Sequence, residues 1–247
     1  MIRISAISYL NSLPFAWCLE HSAIMDEIEL SYDIPSQCAD KLLVDEADIG
    51  LIPIVETLRM PEHYIVSDLC IGAGDAVRTV LLASETLIDD ISTIYLDPHS
   101  RTSVMLARVL AKYFWKITPQ WVHFSGDITA YPRTGISAAV VIGDKAFGVQ
   151  SPYIYDLAVE WRKFSGLPFV FACWVANKPL DKGFLNRFNK AMSDISGNIN
   201  AIVEHYKDRA PAGVDLRDYW TNNISYPLTA DKREGMKLFL QYAMEMI

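Results

Sequence analysis

A mainly apolar stretch runs from Ile2 to Leu10, breaks at Asn11-Ser12-Leu13-Pro14, and resumes at Phe15-Ala16-Trp17. Pro14 suits the first turn of a helix, where its missing N–H costs little, and Ser12 can cap that helix. The stretch predicts a strand, a short polar turn and a helix. Ile28–Asp33 predicts a second strand, and Pro35-Ser36-Gln37 opens a helix to about Val44 whose Cys38, Ala39, Leu42 and Leu43 share one side. Ala47–Ile52 is a short continuous apolar run, the pattern of strands buried on both faces in parallel sheets, and Pro53 begins another helix. Ile65–Gly72 and Val77–Ser84 add two strands around Gly72-Ala73-Gly74.

A second block starts near Glu85. Ile91–Leu96 predicts a strand, and the following DPHSRTSVMLARVLAKYF predicts a helix, because Leu106, Val109, Leu110 and Tyr113 repeat at i, i+3, i+4, i+7. Trp121–Phe124 and Ala138–Ile142 are further strands, Asp156–Phe164 a short helix, and Phe169–Ala176 a strand. One or two long amphipathic helices follow from Asp181 to about Arg209, and a last helix starts near Thr229. Alternating strands and helices indicate an α/β protein with mainly parallel sheets. No linker separates the blocks, so the chain is expected to cross between two lobes through strands, near Ala83 and near Ala172. Lobe I is then 1–84 plus 173–247, lobe II is 85–172, and a cleft lies between them.

Composition narrows the class. The formal charge is -8, from 22 basic and 30 acidic residues, with no basic block, which argues against a nucleic-acid partner. The four cysteines are scattered without a CxxC pair, and the five histidines make no metal-ligand spacing. Buried free thiols in a reducing cytosol fit that usage. Ile4 to Leu19 is uncharged and follows Arg3, but Ser5, Ser8, Asn11, Ser12 and Pro14 interrupt it. A buried strand and helix fit better than a signal peptide. No apolar run reaches the roughly 18 residues of a membrane span.

In open α/β sheets ligands sit beyond the carboxyl ends of strands. Three polar strand-to-helix turns qualify: Asn11-Ser12, Ser100-Arg101-Thr102-Ser103, and Gly143-Asp144. The Ser100–Ser103 turn opens a helix, whose free N–H groups and positive dipole end, joined by hydroxyls and a guanidinium, can receive a carboxylate or phosphate. The same residues also read as an ordinary cap beside a solvated arginine. Asn11 alone is equally turn chemistry, Asp144 a helix cap, and His99 a solvent-exposed loop histidine. The aromatic series Trp161, Phe164, Phe169, Phe171, Trp174 reads as core. Residue by residue, the chain is a two-lobed binder of a small anion, with no catalytic triad, phosphate loop or dinucleotide fingerprint.

The segments RISAISYLNSLPF, PSQCADKLLVDEADIGLIPIVETLR, DLCIGAGDAVRTVLLAS, LDPHSRTSVML, VVIGDKAF and YDLAVEWRKFSGLPFVFACWVA, spread over residues 2–177, together resemble the chorismate dehydratase family of the futalosine route to menaquinone. The resemblance implies a type II periplasmic-binding-protein-like fold in a cytoplasmic enzyme. It also implies conversion of chorismate to 3-[(1-carboxyvinyl)oxy]benzoate and water, with no metal or organic cofactor. Asn11 matches a functional asparagine in the family's YLN motif. Thr79, in VRTVLLAS, stands where the family carries a functional serine in VRSVLLFS; it keeps the hydroxyl and adds a methyl that stiffens χ1. Ser12 replaces a common threonine. The resemblance thus makes Asn11 and Thr79 catalytic candidates, and Ser12, Ser100, Arg101, Thr102, Ser103, Gly143 and Asp144 substrate-binding ones. Two rivals stand beside it: the sister naphthoate synthase of the same pathway, which shares the fold with different motifs, and a non-catalytic carboxylate-binding module.

Overall fold

The structure, a computed structural model, describes residues 1–97 and 101–247. In chain order the strands are β1 (Ile2–Ile7), β2 (Ile28–Asp33), β3 (Ile49–Pro53), β4 (Tyr64–Ala73), β5 (Val80–Ser84), β6 (Thr93–Leu96), β7 (Gln120–His123), β8 (Ser137–Ile142), β9 (Tyr153–Asp156), β10 (Phe169–Ala176) and β11 (Ser225–Pro227). The α-helices are α1 (Leu13–Glu20), α2 (Pro35–Leu43), α3 (Arg101–Val109), α4 (Leu157–Ser165), α5 (Lys182–Met192), α6 (Ile195–Tyr206), α7 (Leu216–Asp218) and α8 (Ala230–Met244). The chain divides into two compact units, Met1–Gly72 with Val170–Thr229, and Ala73–Phe169 with Ala230–Ile247.

Unit one is built on a six-stranded sheet of order β11-β4-β10-β3-β1-β2. β1 is flanked on both sides by parallel partners, with Ile4 opposite Leu30 of β2 and Ile49 of β3. This is why Ile4, Ala6 and Ile7 are buried and why the uncharged start of the chain belongs inside a sheet. On the core, Phe15 of α1 makes edge contacts with Trp174 at 5.7 Å and with Tyr226 at 5.0 Å, and Trp174 meets Phe188 at 5.3 Å. Such aromatic pairs add to the burial energy of large rings.

Unit two carries a five-stranded sheet, β7-β6-β8-β5-β9. β6 runs parallel to β7 and β8, whereas β5 is antiparallel to β8 and β9. In unit one β10 is likewise antiparallel to β3. Both sheets are therefore mixed, not mainly parallel. Every residue of β3, β5, β8 and β10 is buried, so their continuous apolar runs report burial on both faces and say nothing about strand direction.

The unit boundaries also differ from those expected. β5 pairs only in the second sheet, so the chain leaves unit one at 72, not at 84. α5 and α6 return to unit one, but α8 joins unit two. There Phe239 packs against Phe169 at 5.0 Å and Trp161 at 6.1 Å, and Tyr113 donates its hydroxyl to Glu245 at 2.6 Å. Gly235 sits so close to the strand entrance that a Cβ there would lie 2.3 Å from the Pro168 carbonyl oxygen. Gly235→Ala is accordingly expected to destabilise unit two by about 1–3 kcal/mol, as overpacking against immovable backbone does. Thermal melting compared with an exposed alanine substitution on the same helix checks this; an unchanged midpoint refutes the close packing of α8.

The four cysteines are buried free thiols, as their scatter suggested. Burial pushes the Cys18 thiol up to about 11 and the Cys38 thiol up to about 12. Of the aromatic series, Trp161, Phe169, Phe171 and Trp174 are core residues, divided between the two units.

Candidate functional site

In unit one, β1 ends at Ile7 and the chain turns through a 3₁₀ segment, Leu10–Ser12, into α1. Ser12 is buried, and its hydroxyl does not cap α1. It turns back to donate to the carbonyls of Ile7 at 2.5 Å and Tyr9 at 2.9 Å. The next carbonyls along the turn are held from the far end of the chain. Trp220 Nε1 donates to Leu10 O at 2.7 Å, the Tyr226 hydroxyl donates to Asn11 O at 3.1 Å, and Arg209 donates to Ser8 O at 3.3 Å. The Asn11 side chain contrasts with its ordered backbone. Its Oδ1 is buried and accepts no hydrogen bond among the described residues. A buried amide oxygen left without a donor is costly, and native proteins keep few such atoms without a use for them.

In unit two, β6 and β8 are parallel neighbours and β5 starts beside the end of β8, with Val80 opposite Ile142. That topology brings the residues just before β5 and just after β6 and β8 to one end of the sheet. The Gly143 N–H donates to Thr79 O at 2.9 Å, tying two of the sequence candidates together. Gly143 has φ 70° and ψ -161°, a conformation open to glycine and strained for any side chain. Thr79 is buried and its Oγ1 donates to Val77 O at 3.4 Å. Before it, Arg78 adopts φ 64°, and its N–H donates to Asp156 Oδ2 at 2.7 Å. Asp156 also caps α4, accepting from Ala158 N at 3.0 Å and Val159 N at 3.4 Å. Burial pushes the Asp156 carboxyl above the usual carboxylate range, opposed by those backbone donors.

After β6, the buried Asp97 pairs with Lys145 Nζ at 2.7 Å, and α3 begins at Arg101. Thr102 and Ser103 are buried and Arg101 is half-buried; Asp144 is half-buried beside Lys145. His99 and Ser100 lie outside the described residues. The structure thus gathers Thr79, Gly143 and Asp144 at one end of the second sheet, with the start of α3 following the adjacent strand. Asn11 and Ser12 belong to the first unit. Sequence reading missed Trp220, Tyr226, Asp156 and the Asp97–Lys145 pair. Asp97 and Lys145 stand inside DPHSRTS and VVIGDKAF, so those motifs carried the only local signal of them.

Among the described residues no group of three or more His, Cys, Asp or Glu is arranged to hold a metal ion, and no helix is long and apolar enough to cross a membrane. A family model described as menaquinone biosynthesis matches residues 2–245, nearly the whole chain. The chain belongs to that menaquinone biosynthesis family. Within reach of the family are the chorismate dehydratase of Campylobacter jejuni, 28% identical over 245 residues, covering 95% of this chain and 94% of that protein. The chorismate dehydratase of Thermus thermophilus is 21% identical over 255 residues, covering 94% and 92%. Among solved structures, protein AF1704 of Archaeoglobus fulgidus superposes with a TM-score of 0.75 at 15% identity, covering 99% of this chain and 97% of that one. The periplasmic aliphatic sulphonate binding protein SsuA of Escherichia coli gives 0.63 at 15% identity, with 99% and 86% covered. The fold is therefore periplasmic-binding-protein-like, with the two lobes expected of it.

Proposed function

We propose that this chain is a chorismate dehydratase, a hydro-lyase converting chorismate to 3-[(1-carboxyvinyl)oxy]benzoate and water in the cytoplasm. The relatives supply the substrate; the geometric observation that carries the reading is the buried Asn11 Oδ1, which accepts no hydrogen bond among the described residues, on a turn whose Ser8, Tyr9, Leu10 and Asn11 carbonyls are each held by a donor. An amide offers an acceptor and donors on one planar group, suited to a ligand that brings hydroxyl and carboxylate together.

The reaction removes the C3 hydrogen and the C4 hydroxyl, and the ring becomes aromatic. The C3 hydrogen is vinylogously activated by the C1 carboxylate through the ring double bond, so its loss places charge on that carboxylate. Donors aimed at the carboxylate stabilise the transition state, and each is worth about 3–4 kcal/mol in sites of this kind. In the proposal Arg101, Thr102 and Ser103 serve that carboxylate from the start of α3, with Ser100 before them, and the Gly143-Asp144 turn completes the substrate contacts. Asn11 and Thr79 serve the reacting C3–C4 edge and the departing hydroxyl. Ser12 contributes by fixing the Asn11 turn, since its own hydroxyl is engaged with backbone. The enolpyruvyl carboxylate of the substrate itself takes the C3 proton. Aromatisation provides much of the driving force, so alignment, not a strong protein base, is what the site supplies.

Incubation of purified protein with chorismate, followed by absorbance and product mass, tests the proposal. Appearance of the dehydrated product at a rate proportional to protein is expected. Binding without loss of water would make the chain a carrier of anions, and the reading would fall.

A further inference from the structure

Asn11 is useful only if its carboxamide is held where a ligand can meet it, and the turn that carries it has few anchors of its own. Its local anchor is the Ser12 hydroxyl, which reaches Ile7 O and Tyr9 O. The peptide of Asn11 itself is reached from residues more than two hundred positions away. The Tyr226 hydroxyl donates to Asn11 O at 3.1 Å, and Trp220 Nε1 donates to the preceding Leu10 O at 2.7 Å. Both donors are buried, and burial raises the Tyr226 phenol well above its usual value, so it remains a neutral donor. Trp220 lies in a π-helical segment, Tyr219–Asn223, an irregularity that recurs near functional sites because it shifts side chains out of the ordinary helical register. Tyr226 follows on β11, between Ser225 and Pro227, which pair with Gly72 and Leu69 of β4 across an irregular register, and its ring contacts Phe15 at 5.0 Å.

An aromatic ring alone would fill the core; the hydroxyl adds the bond to Asn11 O. The Tyr226 bond to Asn11 O links the C-terminal segment, which carries no recognisable motif, to a side chain whose buried acceptor is unanswered among the described residues. We infer that Tyr226 is a positioning residue for Asn11: its hydroxyl fixes the Asn11 peptide plane and thereby the direction of the carboxamide, with Trp220 fixing the peptide before it. The inference rests on the dehydratase reading for its kinetic consequence, but not for its structural one.

The test combines a double-mutant cycle with a direct view of the amide. Tyr226→Phe is expected to lower kcat for chorismate about tenfold with KM little changed, because a misdirected group loses transition-state contact more than ground-state binding. On an N11A background the same substitution should have no further effect, whereas loss of general stability would lower both backgrounds alike. In parallel, the Asn11 side-chain amide resonance, assigned by its disappearance in N11A, should shift or broaden in Y226F. If the wild type leaves chorismate untouched while that resonance moves, the dehydratase reading fails and the positioning claim stands. An unmoved resonance, or equal losses on both backgrounds, overturns the positioning claim. Should Y226F not fold, Trp220→Phe removes the neighbouring donor and must show the same dependence on Asn11.

Discussion

Asn11→Ala should lower kcat on chorismate by about a hundredfold to a thousandfold while leaving the melting temperature unchanged or slightly raised. The activity estimate is the loss of one transition-state contact in a water-excluded site. The stability estimate comes from the same side chain seen from inside the protein. Its buried Oδ1 accepts nothing among the described residues, so truncation deletes an unsatisfied acceptor. The turn's own hydrogen bonds use the Asn11 carbonyl and the Ser12 hydroxyl, and both survive the change. A group that costs stability and supports turnover is the signature of a site, because evolution keeps it against the interest of folding. Steady-state kinetics and thermal melting on the same preparations check both halves. Undiminished turnover would remove Asn11 from the chemistry, and a fall in turnover that tracks a fall in melting temperature would make it structural.

The largest stability effect is expected far from those candidates, at Asp48. This carboxylate precedes β3 and is nearly buried, yet four donors converge on it. The Arg3 backbone N–H reaches it at 2.8 Å, Arg3 Nε at 3.1 Å and Arg3 Nη2 at 2.8 Å, and Lys178 Nζ at 2.6 Å. Arg3 is on β1 and Lys178 follows β10, so one side chain ties three neighbouring segments of the first sheet. Asp48→Ala leaves the half-buried Arg3 backbone N–H without its acceptor and takes from Arg3 and Lys178 their buried carboxylate, leaving each the exposed Asp45 carboxylate at 3.3 Å, and about 3 kcal/mol of stability should be lost. The Arg3 guanidinium holds the Asp48 carboxyl well below the usual carboxylate range. The sign follows from linkage. A carboxyl with a depressed folded-state value stabilises the protein at and above its ordinary value, about 4, and loses that contribution as pH falls toward the folded value. Urea unfolding of wild type and variant should therefore differ by a constant amount from neutral pH to about pH 5, with the gap closing below about pH 4. A gap that persists undiminished in acid would mean that Asp48 acts by packing, not by charge.

Much of this architecture is legible in the amino-acid order, and the part that is not has physical causes. The runs Ile28–Asp33 and Phe169–Ala176 are strands with those same limits, because apolar runs bounded by turn residues leave little ambiguity. Strand direction is another matter: β5 and β10 bury both faces as parallel strands do, and only pairing partners, set by distant segments, make them antiparallel. The short edges β9 and β11 escape the pattern because an edge strand is stabilised on one side only and carries exposed residues such as Tyr153 and Ile154. α3 follows its apolar stripe through Leu106, Val109 and Leu110, then widens into a π-helical stretch, Leu110–Trp115, which a 3.6-residue period cannot foresee.

For the candidate residues the division is similar. Asn11, Thr79, Gly143 and Asp144 are found through motif and through their place at strand ends. The residues that hold them are not. Nothing near Tyr226 or Trp220 in the chain signals a contact with Leu10 and Asn11, and Asp156 reads as a helix cap until its second oxygen is seen to receive the Arg78 N–H. Ser12 shows the converse: a serine that looks available in sequence is engaged with two backbone carbonyls once the turn is folded.

The central claim is that the chain removes the C3 hydrogen and C4 hydroxyl of chorismate together. Chorismate deuterated at C3, incubated with the purified protein and read by mass spectrometry against a protein-free control, tests it in one measurement. The account predicts 3-[(1-carboxyvinyl)oxy]benzoate free of ring deuterium, formed in proportion to protein. Recovery of intact labelled chorismate, or a product that keeps its deuterium, would contradict it.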